Sequence, residues 1–304
     1  MKKKWLFLTI AIVSLTACSN DDEVQQNGLH EIRFYTDVVH STRAADVAAD
    51  LQNTQLAANT SISVQITDNN PDVSQQVVYN LATYIANGSG KLNISPDEPK
   101  QYFPTSGSTV DIYAYHPAGA AETFSVSTDQ SLTAGYVASD LMWASLSGVD
   151  KNSTAEECKL HLTHKLSKIV VQLVKGTQVT DEEINAASIS IGPVVYKGTF
   201  TASTGTFVAA EDIDANKSTI TIATDAGTSA HAAIIVPQEV TGKRLSVTMG
   251  SSTQSYIFPE TTTFASGKKY TYTVTVKKGG ITVVTSVTDW STDVSVNPQP
   301  IITF

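Results

Sequence analysis

Period-two alternation is the feature that most constrains what this chain can become. Runs such as Ile62-Ser63-Val64-Gln65-Ile66, Val110-Asp111-Ile112-Tyr113-Ala114-Tyr115, Ile169-Val170-Val171-Gln172-Leu173, Leu245-Ser246-Val247-Thr248-Met249 and Tyr270-Thr271-Tyr272-Thr273-Val274-Thr275-Val276 place apolar or β-branched residues at alternate positions. Successive side chains of a strand point to opposite faces, so each run can bury one face and leave the other in water. Turn formers separate the runs: Asn87-Gly88-Ser89-Gly90, Pro117-Ala118-Gly119, Ser203-Thr204-Gly205, Gly227 and Gly279-Gly280. Short strands joined by tight turns predict an all-β chain of antiparallel sheets packed as sandwiches.

Helix is scarce by the same reading. Thr180-Asp181-Glu182-Glu183 has the spacing of a capping box and predicts one or two helical turns; the Ala-rich stretch from Asp46 to Gln55 is a second candidate. No strand–helix–strand rhythm and no repeat of fixed period occurs. The polar run from Asp150 to Glu157 reads as a linker and divides the chain into expected units at 29–153 and 154–304, each long enough for a sandwich.

The first residues read as an address. Lys2, Lys3 and Lys4 precede an apolar run from Trp5 to Leu15, too short for a membrane span, which needs about 20 residues. The run ends in Leu15-Thr16-Ala17-Cys18, which resembles a bacterial lipobox: small residues before a cysteine whose thiol takes the lipid. A signal peptide at 1–17, cleavage between Ala17 and Cys18, acylation of Cys18 and a tether at 18–28 are therefore expected. The acidic run Asp21-Asp22-Glu23 resembles a surface-export signal of Bacteroidetes-type lipoproteins and also suits a solvated tether. With Cys18 lipidated, Cys158 has no partner for an intramolecular disulfide. Glu156 and Glu157 beside it would raise its pKa, so it reads as a structural thiol.

A search for chemistry returns little. The 20 Lys and Arg residues are outnumbered by 29 Asp and Glu, for a net charge of −9, and no basic stretch suits a phosphate backbone, so nucleic acid is not an expected partner. His161 and His164 stand three apart in strand-like surroundings, which would aim them at opposite faces; no metal is expected. There is no Gly-x-Ser-x-Gly elbow and no phosphate-binding glycine loop, and Gly88-Ser89-Gly90 reads as a hairpin turn. Paired carboxylates at Glu182-Glu183 lie in a polar context unsuited to general acid chemistry. No cofactor and no enzymatic activity are expected. Tyr113, Tyr115, Trp143 and Trp290 read as core aromatics rather than a sugar-binding platform.

An ordered set of motifs then carries a resemblance. It comprises Ile32-Arg33-Phe34; Ser41-Thr42-Arg43-Ala44; Tyr102-Phe103-Pro104; Val110 to Pro117; Asp140-Leu141-Met142-Trp143-Ala144; Leu162 to Val171; Ile234-Ile235-Val236-Pro237-Gln238; Gly267-Lys268-Lys269-Tyr270; and Asp289-Trp290. Together they resemble the fimbrillin-like (Mfa-like) lipoproteins, subunits of type V pili. The resemblance implies two tandem transthyretin-like β-sandwich domains and an outer membrane lipoprotein precursor. It also implies a trypsin-like maturation protease that cuts after an arginine, and assembly with other fimbrial subunits by β-strand donation into a vacated groove. In this chain the candidate cut lies between Arg43 and Ala44, and the candidate exchanged strand presents Ile32, Phe34, Val38 and Val39. The alternative is a surface lipoprotein that binds glycan or host protein without polymerising. After Trp290 only Asp293-Val294-Ser295-Val296 alternates before Pro298 and Pro300, so stalk, tip and anchor roles all stay open.

Overall fold

In a computed structural model the described residues are 29–38 and 55–290. The expected features at Ala17, Cys18, Val39, Arg43 and Ala44, most of the Ala-rich stretch, and Asp293 to Val296 lie outside them. The all-β expectation is met: 51% of the described residues are in strands and 7% in helices.

The first half contributes strands β1 (Phe34–Val38), β2 (Ser61–Asp68), β3 (Ala82–Ala86), β4 (Lys91–Ile94), β5 (Val110–His116) and β6 (Thr123–Ser125), helix α1 (Thr133–Ala138), then β7 (Met142–Val149) and β8 (Lys159–His164). Hydrogen bonding runs β1-β4-β3-β2-β5-β7-β8 and returns to β1, a closed barrel. Neighbours pair antiparallel around the ring except at β1 and β8, which run parallel. The β3–β4 hairpin forms at the glycine turn expected there. Asn87 Oδ1 accepts from the backbone N–H groups of Ser89 and Lys91, and Gly90 takes a φ of +86°, which a side chain would oppose.

The second half contributes β9 (Ser167–Lys175), helix α2 (Asp181–Asn185), β10 (Ser188–Val195), β11 (Lys197–Thr201), β12 (Thr206–Ala209), β13 (Lys217–Ala223), β14 (Ala230–Ile235), β15 (Gln238–Glu239), β16 (Arg244–Met249), β17 (Ser252–Ile257), β18 (Thr263–Phe264), β19 (Lys268–Lys277) and β20 (Gly280–Asp289). Two four-stranded sheets, β13-β10-β16-β17 and β14-β9-β19-β20, enclose one apolar core. In β19 the alternation is obeyed along the strand: Tyr270, Tyr272, Val274 and Val276 point inward. Helix α2 carries the capping box expected of it, with Thr180 and Glu183 each accepting from the other's backbone N–H.

The chain halves interlock. β6 pairs with β11, and Tyr115, Phe124, Val126, Tyr136 and Leu141 belong to the second core although they precede residue 150. Helix α1, which brings Tyr136 there, starts at Leu132 with no side-chain cap, so the start signal that marks α2 is missing. A buried polar cluster fastens the junction. His164 lies 2.7 Å from the Asp140 carboxylate and stacks on Trp290, while the Lys168 ammonium sits over the same indole, 5.9 Å from its centroid.

Candidate functional site

The place where β1 sits is the part of the fold that a local change could open. β1 is five residues long and is the one strand that joins β4 to β8. Its register sets Phe34 opposite Leu92 and Tyr35 opposite Lys91 on one side, and Tyr35, Thr36, Asp37 and Val38 opposite Lys159, Leu160, His161 and Leu162 on the other. Backbone bonds extend the hold. Thr36 N–H donates to the Gly90 carbonyl at 2.7 Å, Tyr35 N–H to Cys158 at 3.3 Å, and Ile32 N–H to Gln101 at 2.8 Å.

Alternation gives β1 two faces. Ile32, two residues before the strand, and Phe34, Thr36 and Val38 within it point into the barrel core, each 5% exposed or less. Phe34 is sealed completely and meets Tyr84 edge-to-face, with ring centroids 5.2 Å apart. The sequence predicts Ile32, Phe34 and Val38 on this face. Thr36 joins them although its hydroxyl carries no apolar signal; the i+2 spacing from Phe34 is the signal that finds it.

The outward face is ionic. The Asp37 carboxylate takes Lys159 Nζ at 3.0 Å and His161 Nδ1 at 2.6 Å, and Glu31 takes Lys100 at 3.1 Å. A hydrogen bond to Asp37, then that carboxylate's charge, pushes the Lys159 ammonium above its ordinary pKa. Exposed pairs of this kind add little stability, but they favour one register, since a one-residue slip would set Asp37 on the apolar side.

His161 and His164 sit on opposite faces of β8: His161 is exposed beside Asp37 and His164 is buried beside Asp140. Among the described residues, no group of three His, Cys, Asp or Glu side chains could hold a metal ion. Cys158 is a buried free thiol next to β1. Burial pushes its pKa up first, then the charges of Glu157 and Asp150; of the two glutamates expected to act, Glu157 does. Tyr115 and Trp290 are core, and Tyr113 and Trp143 pack against the same core. Trp143 donates its indole N–H to the Ala202 carbonyl at 2.7 Å and receives the Lys165 ammonium 4.8 Å over its ring, so it ties β7 to the β11–β12 hairpin.

A model of fimbrillin-like proteins matches residues 42–290. This chain belongs to the fimbrillin-like family. The match begins after β1 and runs through the last described residue, so β1 stands outside it. A Bacteroides uniformis protein named "Putative fimbrium subunit Fim1C" is 27% identical over 311 residues, covering 96% of each chain. Two solved structures share the fold, each described as a "putative cell adhesion protein". The Bacteroides uniformis one has a TM-score of 0.65 at 21% identity, and the Bacteroides ovatus one 0.68 at 19%; in both cases the likeness covers 86% of this fimbrillin-like chain and 98% of the other.

Proposed function

We propose that this fimbrillin-like chain is a cell-surface pilus subunit that polymerises by exchanging β1 for a strand of another subunit. The observation that carries the reading is the position of β1. It alone closes the barrel between β4 and β8, and four inward side chains plug the core. If β1 left, two strand edges would lose their backbone partners and the sockets of Ile32, Phe34, Thr36 and Val38 would face water. Both conditions are unfavourable until another strand pairs there. A cut after Arg43 falls between β1 and β2 and would turn β1 from a tethered element into a separable one. In this scheme Cys18 carries the lipid that takes the precursor to the outer membrane and its surface. The role is structural, with other fimbrial subunits as partners and a trypsin-like protease as the maturation enzyme.

Limited trypsin digestion of the folded full chain tests it. The expected product begins at Ala44 and assembles into polymers that resist dissociation, whereas Arg43→Ala stays a monomer. Assembly of Arg43→Ala at normal yield overturns the reading. Cys18→Ala should abolish acylation and membrane retention.

One observation favours the alternative of a non-polymerising binder. The β2–β3 connection exposes Val73, Val77, Val78 and Leu81, with Val78 at 88%. Its backbone is braced by the Asp68 carboxylate, which accepts from Asn70 N–H, Val77 N–H and the Ser108 hydroxyl. Burial would raise the Asp68 pKa, but these bonds outweigh it and hold it low. A braced loop with apolar residues at its tip suits recognition. In that case Val78→Asp would weaken adhesion while polymer yield from the trypsin-cut chain would be nil.

A further inference from the structure

Two buried hydroxyls at the β1 slot have no hydrogen-bond partner among the described residues: Thr36 Oγ1 on the strand itself and Tyr84 OH on the wall it packs against. Thr36 is 2% exposed and Tyr84 3%, so bulk solvent does not reach them. The other inward residues of β1 are apolar, and the opposite register partner of Thr36 is Leu160. On β1 itself an otherwise apolar inward face therefore carries one hydroxyl whose hydration no described residue replaces.

Resting on the strand-exchange reading above, we propose that Thr36 is the weak point of the resident strand. The slot then selects an incoming strand with a β-branched apolar residue, valine or isoleucine, at that place, so that four successive inward positions are apolar. The backbone contributes nothing to the preference. Thr36 N–H bonds the Gly90 carbonyl at 2.7 Å, and any non-proline residue would do the same. Nor does shape oppose it: valine matches threonine in branching and χ1 restriction, and differs by replacing the stranded hydroxyl with a methyl group. The fit at Gly90 is close, since a Cβ there would stand 3.1 Å from the Thr36 carbonyl oxygen, so the selection falls on the side chain pointing inward rather than on the edge. The partner is an extended segment of a second polypeptide that runs parallel to β8, with apolar residues at i, i+2, i+4 and i+6. Exchange of threonine for such a residue makes replacement of β1 favourable once the chain is cut.

The test has two arms. In the first, Thr36→Val in the uncut full chain is expected to raise the urea midpoint, with Thr36→Ser as a control that keeps the hydroxyl and lowers it. In the second, the full chain is nicked with trypsin between residues 39 and 54 and offered fluorescent peptides of residues 29–38 carrying either Thr or Val at position 36. The Val peptide is expected to bind about tenfold tighter, which corresponds to about 1.4 kcal/mol. Equal or weaker binding of the Val peptide overturns the inference. Uptake of neither peptide overturns strand exchange itself, and the first arm then still decides: an unchanged or lowered midpoint for Thr36→Val removes Thr36 as a weak point.

Discussion

The imidazole of His164 lies flat on the indole of Trp290, with centroids 3.8 Å apart and planes 4° from parallel. His164 ends the last barrel strand and Trp290 follows the last strand of the sandwich, so the stack joins the two cores. Its edge is fixed by Asp140, which is 1% exposed and whose Oδ2 has no partner among the described residues. His164→Ala would remove the stack and strand a buried carboxylate, a combination expected to destabilise by about 3–5 kcal/mol. Chemical unfolding followed by Trp fluorescence measures it. A loss below 1 kcal/mol would mean the junction is held elsewhere.

Phe34→Ala should destabilise by about 3–5 kcal/mol, because a completely buried aromatic leaves a cavity against Tyr84. Asp37→Asn, on the wet face of the same strand, should change stability by less than about 1 kcal/mol. Thermal unfolding of the two variants side by side checks the contrast; comparable losses would contradict the assignment of the faces.

Cys158 should report the departure of β1. It is buried, Tyr35 N–H bonds its carbonyl, and it lines a recess with His30, Arg33 and Tyr35. Its raised pKa leaves little thiolate near neutral pH, so maleimide labelling of the uncut chain should be slow for two reasons. Cutting the 39–54 segment and removing the freed strand should speed labelling at least tenfold, read by mass spectrometry at pH 7.5. Equal rates before and after would show that β1 does not shield it.

Alkaline pH should unfold the protein through its buried phenols. Burial, then the charge of Asp68, raises Tyr79 from 10.0 to about 12, and burial raises Tyr84 and Tyr272 further. Between pH 10 and 12 the unfolded chain releases phenolic protons that the folded chain keeps, so stability falls as pH rises through that window and is intact below it. Urea midpoints at pH 9 and 11, with tyrosinate absorbance, test the sign. A midpoint that is unchanged or higher at pH 11 would refute it.

Local periodicity was enough to foresee much of this architecture. The inward set on β19, the glycine turn between β3 and β4, the capping box at Thr180, the opposed faces of His161 and His164 and the inward side chains of β1 all follow from side-chain direction within a few residues. Each rests on an interaction whose geometry the neighbouring residues set by themselves.

Partner choice was decided only by the tertiary structure. Period two says which face of β1 is buried but not that Asp37 meets His161, 124 residues away, in a parallel pair. Nor does it say that β6 leaves the first half to pair with β11, or that α1 docks Tyr136 in the second core. Asp140 carries no sequence mark of burial. A polar side chain becomes buried when the apolar residues around it pack, and which residues surround it depends on long-range register, summed over the whole core, rather than on its neighbours in the chain.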